Sequence, residues 1–187
     1  QGQGAVLMGP GDRELCCSPN IDLRAVFEGA ALDEEAGTEI YATTGHSPAL
    51  LLAPARLRWL QSHRPDLMEM ASSVISIGGW LGSRLTGQVA AEAGLDCTLG
   101  LIDLSTRRHA LPMLNKLGFP VELLPPLLGS GERLGCIRTE LAGEWGLPAG
   151  LPVTLAGADT QCGLLGLGLT TPGQSGAVLG WSDSVHT

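Results

Sequence analysis

The sequence predicts an α/β domain. Short apolar runs with the β-branched content of buried strands alternate with segments of helical spacing, and no internal repeat is present. The most distinct unit lies at residues 151–179, where the order is strand, glycine turn, helix and strand. With 187 residues, the chain is long enough for one domain with a substantial core.

A β-hairpin is predicted at the start of the chain. Residues 4–8 form a short apolar run, Gly-Pro-Gly-Asp at 9–12 is a turn signal, and residues 14–18 can form the returning strand. A natural domain rarely begins directly with a strand, so we expect the chain to be a fragment.

Helices are predicted at residues 23–35 and 54–63. Asp22 can cap the first helix and Gly37 is expected to end that segment, while Pro54 suits the first turn of the second helix. Shorter elements follow, with a strand at 74–77 and helices at 79–85 and 139–144.

Asp159 is the main candidate for chemistry. Pro152 opens a strand at residues 153–156, Gly157 ends it, and Asp159 then begins a segment of helical spacing. One interpretation is structural, since an aspartate at a helix start caps free backbone N–H groups. The other is functional: the carboxylate lies at the mouth of an α/β cleft, where the positive helix end keeps it ionised as a general base.

Three glycines follow within two turns of this helix. Gly163, Gly166 and Gly168 each cost the helix roughly 0.5–1 kcal/mol relative to alanine. We therefore expect another backbone or a ligand to pack closely against them. Their spacing matches neither a Walker loop nor a dinucleotide fingerprint.

Composition excludes several classes of function. The net charge is −8 with a single lysine, which disfavours a nucleic-acid partner. No apolar run reaches the length of a membrane span, and the first residues lack the basic-then-apolar pattern of a signal peptide. The five cysteines and four histidines show no metal-ligand spacing, so we predict no metal site, reduced cysteines and a cytoplasmic location.

The ordered motifs of the chain resemble those of the FGGY carbohydrate kinases. The resemblance covers nearly the whole chain, and the chain is most similar to the branch that contains autoinducer-2 kinase and its xylulokinase-like relatives. It rests on these segments: I-D-L-R-A at 21–25, A-P-A-R-L-R-W-L at 53–60, R-L-T-G at 84–87, L-G-C-I-R-T-E-L-A at 134–142 and G-A-D-T-Q-C-G at 157–163.

The resemblance implies part of an actin-like (ribonuclease H-like) ATPase-superfamily domain, with a mixed sheet and flanking helices. In that family a sugar or sugar-like polyol meets ATP, normally with Mg²⁺, in a cleft between two domains. Asp159 falls on the catalytic base. The implied substrate-binding or bordering residues are Gln3, Asn20, Asp22 and Arg24.

The resemblance also implies a domain boundary. Residues 1–174 correspond to a partial N-terminal, sugar-binding domain, and residues 175–187 to the start of a truncated C-terminal, ATP-binding domain. Gly180 and Ser182 match a phosphate-binding motif in which Trp181 replaces the usual threonine. The other phosphate motif of the family is expected upstream of Gln1.

Two functional hypotheses follow. The chain is a piece of a sugar kinase with Asp159 as its general base, or it is a non-catalytic sugar-binding or interaction module derived from this fold. A small-molecule sugar or polyol is the expected partner in both, and a homodimer is a further hypothesis.

Overall fold

A three-stranded antiparallel sheet forms the centre of the fold. A computed structural model of the chain describes residues 3–180 and 183–186. The strands β1 (Ala5–Gly9), β2 (Arg13–Ser18) and β3 (Ser73–Ser76) lie in the order β2-β1-β3. The hairpin predicted from the first 18 residues is confirmed, because β1 pairs with β2 across a tight turn.

The described part of the chain contains eight α-helices. They are α1 (Val26–Thr44), α2 (Ala53–His63), α3 (Pro65–Glu69), α4 (Ile77–Thr86), α5 (Ala93–Cys97), α6 (Leu111–Lys116), α7 (Thr139–Trp145) and α8 (Asp159–Gly166).

The remaining strands form four separate two-stranded sheets. Parallel pairing joins β4 (Ala91–Glu92) to β7 (Leu127–Leu128), and the other pairs are antiparallel: β5 (Ile102–Asp103) with β6 (Arg108–His109), β8 (Arg133–Cys136) with β9 (Pro152–Thr154), and β10 (Gly176–Val178) with β11 (Ser184–His186). The predicted α/β class is confirmed, and both pairing senses occur, in different sheets.

Strand β1 is buried on both faces. Its alternate residues therefore enter different cores: Ala5 and Leu7 join the large cluster beneath α1, α2 and α6, whereas Val6 and Met8 pack with Ile75 on the side of α4. A short continuous apolar run is the pattern expected of such a doubly covered strand.

The first long helix departs from its prediction. Helix α1 begins at Val26 and does not end near Gly37; it continues to Thr44, with a non-helical φ of −152° at Ala36. A single glycine weakens a helix by only about 1 kcal/mol, and burial of Ile40 beyond it outweighs that loss. The helix ends at Gly45, whose φ of 72° gives a left-handed C-cap.

The segment from α8 onward contributes little to the core. Helix α8 has no buried residue among those described. In the described chain no other backbone packs closely against the glycines after Asp159, because a Cβ built on Gly163, Gly166 or Gly168 meets nothing within 4 Å, and the expected ligand stays a prediction. Gly168 has a φ of 81°, so its own requirement is conformational.

Two general features complete the description. Every cysteine is free, in agreement with the prediction of reduced thiols. Among the described residues, no helix combines the length and apolar character that crossing a membrane requires.

Gly29 provides a test of helix packing. A Cβ at this position in α1 would overlap the backbone of Leu50, so Gly29→Ala should destabilise the fold by about 1–3 kcal/mol through overpacking. Gly37→Ala is the matched control in the same helix, since its Cβ would meet nothing closer than the Asp33 Cβ at 3.7 Å. Urea unfolding should show Gly37→Ala neutral or stabilised. Equal loss in both variants would contradict the packing at Gly29.

Candidate functional site

The sheet register brings four predicted substrate residues to one end of the hairpin. Ala5 pairs with Ser18, so Gln3 lies just before the pairing on β1, while Asn20, Asp22 and Arg24 follow it on β2. Gln3 is half-buried and Asn20 is exposed in the turn that leads towards α1. Antiparallel pairing therefore places these residues together although the hairpin separates them in sequence.

Asp22 and Arg24 form a two-pronged ion pair. The Arg24 Nε donates to Asp22 Oδ1 at 2.9 Å and its Nη2 donates to Oδ2 at 2.6 Å. The Ser18 hydroxyl also donates to Oδ2 at 2.9 Å. The Arg24 hydrogen bonds hold the pKa of Asp22 well below its usual range, despite opposition from burial. Asp22 therefore remains an anion.

Asp22 does not cap helix α1. The N-cap of that helix is Ala25, with no side-chain cap, and the Asp22 carboxylate accepts instead from the Arg24 backbone N–H at 3.1 Å. This bond and the ion pair fold residues 22–24 into a rigid turn. The Arg24 guanidinium also lies 4.8 Å from the centre of the Trp59 ring on α2, which is a cation–π distance.

Arg56 is a second cation in the same pocket. Its residue is only 3% exposed, and it lines a pocket together with Ser18, Asp22, Arg24 and Trp59. Nη1 donates to the backbone carbonyl of Gln3. Nε and Nη2 have no hydrogen-bond partner among the described residues, and each unpaired buried donor costs roughly 1–3 kcal/mol.

The electrostatics of Arg56 reflect this burial. Removal from water lowers the pKa of the Arg56 guanidinium; the Asp22 charge opposes this change and the Arg24 charge adds to it. An arginine stays protonated even so, because its ordinary pKa is far above neutrality. The pocket therefore holds two cations and one anion, and the anion is already shared by Arg24 and Ser18.

Asp159 occupies the predicted strand–turn–helix position. Strand β9 ends at Thr154 and α8 begins at Asp159 itself, whose exposed carboxylate accepts from the Thr160 N–H at 2.8 Å. It makes no side-chain cap bond to the later N–H groups of the helix, which weakens the capping interpretation. No hydrogen bond or ion pair joins it to Gln3, Asn20, or the Asp22–Arg24 pair within the described ranges.

The turn before Asp159 passes close to the start of α5. A Cβ built on Gly94 at the start of α5 would lie 3.3 Å from the Gly157 Cα. Glu92 orders that helix start, since its carboxylate accepts from the N–H groups of Gly94 and Leu95 at 3.0 and 2.9 Å. The space beside Gly157 therefore suits a glycine at position 94.

Of the two predicted phosphate residues, only Gly180 lies within the described part of the chain. Ser182 and Trp181 lie outside the described residues. The Gly180 N–H donates to the Asp183 carboxylate at 2.9 Å, so an anion already occupies the donor that a phosphate would use. No lysine or arginine occurs from residue 139 onward. Gly180 therefore offers no free backbone donor in this structure, and the assignment of Gly180 and Ser182 to the phosphates stays a prediction.

Glu92, at the end of β4, and Asp96, in α5, form a buried carboxylate pair. Glu92 and Asp96 are fully buried, and the Ser130 hydroxyl donates to Glu92. Neither oxygen of Asp96 has a regular hydrogen-bond partner in the described chain. Burial raises the pKa of Asp96 to about 7, the Glu92 charge adds to this, and the nearby Ser76 hydroxyl partly opposes it.

Sequence analysis missed Arg56, Glu92 and Asp96. One signal pointed to Arg56: it stands on the same helical face as Ala53, Leu57 and Leu60, where an arginine is unusual. No comparable signal marked Asp96, because its burial arises from chain segments distant in sequence.

The chain matches a known family over most of its length. Residues 2–166 match the N-terminal domain of the FGGY family of carbohydrate kinases. The autoinducer-2 kinases of Yersinia enterocolitica and Escherichia coli K12 are each 37% identical to it over 191 residues, covering 98% of this chain and 36% of each relative. The chain thus spans about a third of the length of these relatives.

Solved structures show the same architecture. The xylulose kinase of Rhodospirillum rubrum is 27% identical and superposes with a TM-score of 0.87, covering 97% of this chain and 38% of that chain. The glycerol kinase of Plasmodium falciparum, solved with ADP, superposes with a TM-score of 0.84 at 17% identity, and the match covers 96% of this chain and 37% of that chain. At this identity the likeness shows the fold alone. The predicted actin-like α/β fold is confirmed.

Asp96 should give the fold a specific pH dependence. In the unfolded chain this carboxyl ionises near its ordinary pKa of 3.8, whereas in the folded chain its pKa is about 7. Between these values the unfolded state loses a proton that the folded state keeps, so rising pH destabilises the fold and the loss is complete above pH 7. Asp96→Asn cannot ionise and avoids this loss.

Thermal unfolding at pH 5 and pH 8 checks this expectation. The melting temperature of Asp96→Asn, relative to the unaltered chain, should rise between the two pH values. Asp103→Asn is the control: hydrogen bonds from Ser105 lower the pKa of Asp103, so its stabilising contribution is lost only as pH falls below the ordinary pKa of 3.8, and the melting-temperature difference of that variant should be the same at pH 5 and pH 8. A pH-independent difference for Asp96→Asn would show that Asp96 ionises normally in the fold.

Proposed function

Because the chain belongs to the FGGY family of carbohydrate kinases, we propose that it is the sugar-binding part of a longer kinase. That kinase transfers a phosphoryl group from ATP to a hydroxyl of a sugar or sugar-like polyol. The supporting observation is the family match over residues 2–166 combined with the place of Asp159, exposed at the start of α8. The kinase relatives support ATP as donor, and Mg²⁺ remains a prediction.

In this proposal Asp159 is the general base. A hydroxyl attacking a phosphorus atom must lose its proton, and a carboxylate within hydrogen-bond reach accepts it. The side chain of Asp159 is exposed, and its recorded bond is to its neighbour's N–H, so a carboxylate oxygen remains free for a substrate hydroxyl. The step assigned to Asp159 is thus the transfer of one proton from the substrate hydroxyl to its carboxylate.

The sugar side of the site is formed by the hairpin end. Gln3 and Asn20 offer amide groups that both donate and accept, as sugar hydroxyls require. Asp22 and Arg24 satisfy each other, so we assign them the border of the site and the shape of the turn. The assignment of Gly180 and Ser182 to the phosphates, and the division at residues 174–175, stay predictions.

A second candidate is the non-catalytic sugar-binding module. It is favoured by the Gly180–Asp183 bond and by the absence of lysine and arginine after residue 138, because both make the described residues unsuited to a nucleotide. We place either protein in the cytoplasm, consistent with five free cysteines. A homodimer remains a hypothesis.

Asp159→Asn in the longer kinase tests the base. The amide keeps the size of the carboxylate but cannot accept the proton, so kcat should fall by about 10²–10⁴ while the melting temperature changes little. Asp66→Asn is the matched control, since Asp66 also lies in the first turn of a helix and pairs only at the surface with Arg64. A kcat within a few-fold of the unaltered enzyme would leave Asp159 without a catalytic role.

Binding measurements on residues 1–187 alone test sugar binding and ATP binding separately. Calorimetric titration with ATP and Mg²⁺ should show no saturable binding, because the described residues offer no phosphate site. Titration with pentuloses and polyols should show affinity in the millimolar range at best. Tight ATP binding, or sugar phosphate formed by this chain alone, would contradict the assignment.

A further inference from the structure

Arg56 connects two parts of the candidate site that are far apart in sequence. It lies on α2, is almost completely buried, and its Nη1 donates to the carbonyl of Gln3, a residue 53 positions earlier. Gln3 immediately precedes the buried backbone of Gly4 and Ala5 at the start of β1. The Arg56 side chain therefore fixes the point at which the Gln3 side chain leaves the sheet.

The rest of the Arg56 guanidinium has no protein partner in the described chain. Arg56 lines the same pocket as Ser18, Asp22 and Arg24, yet its Nε and Nη2 have no partner among the described residues. Asp22 would be the natural anion for Arg56, but both of its oxygens accept from Arg24, and Ser18 takes one of them as well. Burial of a cation costs desolvation free energy that a single backbone hydrogen bond does not offset, so core stability alone does not explain Arg56.

We propose that Arg56 is a positioning residue for sugar binding. It holds the Gln3 carbonyl and lines the same pocket as the turn of Asp22 and Arg24, so its buried side chain lies between the two edges of the candidate sugar site and spaces them. This inference rests on the proposed function, and it concerns a neutral ligand rich in hydroxyl groups, which the amide of Gln3 recognises by donating and accepting.

The position of Arg56 defines which kinetic constant it affects. It contacts the backbone that carries Gln3, and no described contact joins it to Asp159 or to the segment from residue 139 onward. Loss of Gln3 alignment removes an interaction made equally by bound sugar and transition state, which raises the sugar KM and leaves kcat unchanged. A residue needed only for folding would lower activity and stability without this separation.

Two variants and one control test the proposal in the longer kinase. Arg56→Met removes every donor at similar length, and Arg56→Gln keeps one amide donor without charge. Arg58→Met is the control, because Arg58 lies on the same helix and pairs with Glu35 at the surface. The measurements are the KM and Kd for D-xylulose, D-ribulose and glycerol, the KM for ATP, kcat, and thermal unfolding.

We expect Arg56→Met to raise the sugar KM and Kd at least tenfold, with Arg56→Gln intermediate, and the ATP KM and kcat within threefold of the unaltered enzyme. Arg58→Met should change none of them. Equal changes in the sugar and ATP constants, an unchanged sugar Kd, or failure of both Arg56 variants to fold would overturn the proposal. If the unaltered enzyme binds sugar but does not phosphorylate it, the proposed activity fails while the sugar Kd still tests Arg56.

Discussion

Burial of β1 on both faces is the constraint on which the rest of the structure depends. A central strand covered by α4 on one side and by α1 and α2 on the other cannot shift its register by one residue without exchanging its two cores. The register therefore fixes Ala5 opposite Ser18 and Ser76. Gln3, the turn after β2 and the start of α4 all emerge at this end of the sheet, which is why the candidate sugar residues come together there.

Charged groups are buried at the same end of the sheet at a considerable cost. Arg56 retains two unpaired donors, and Asp96 retains a carboxyl whose pKa is raised to about 7. Neither arrangement is what a stable core alone would select, because apolar residues of similar volume pack without this penalty. Departures from core-forming rules concentrate at functional sites, and both residues lie beside elements that position the candidate site: Arg56 at Gln3, and Asp96 on the helix that contacts the turn before Asp159.

Local signals explain which elements could be predicted from the sequence. The hairpin of residues 5–18 and the turn before Asp159 are encoded by glycines, prolines and short apolar runs within a few residues of one another, and both predictions are confirmed. The end of α1 was predicted wrongly because Gly37 was weighed without the distant groups that bury Ile40. The bond from Arg56 to Gln3 spans 53 residues and leaves no trace in local composition beyond one arginine on an apolar face.

The glycines after Asp159 also show that local composition does not reveal what packs against an element. Their number correctly indicated an unusual helix, but composition could not show what, if anything, packs against it; in the described chain their surroundings are open. Helices of eight residues are marginal in water without tertiary contacts, and α8 buries none of its residues. The placement of the Asp159 carboxylate therefore depends on the segment before it, where β9 pairs with β8 and the Leu155 N–H donates to the Glu132 carbonyl. The candidate sugar edge lies at the end of a buried sheet, whereas Asp159 follows β9, which is held by its pairing with β8 and by burial of Leu155. The hairpin end is therefore the more deeply buried part of the candidate site, and Asp159 is its exposed part.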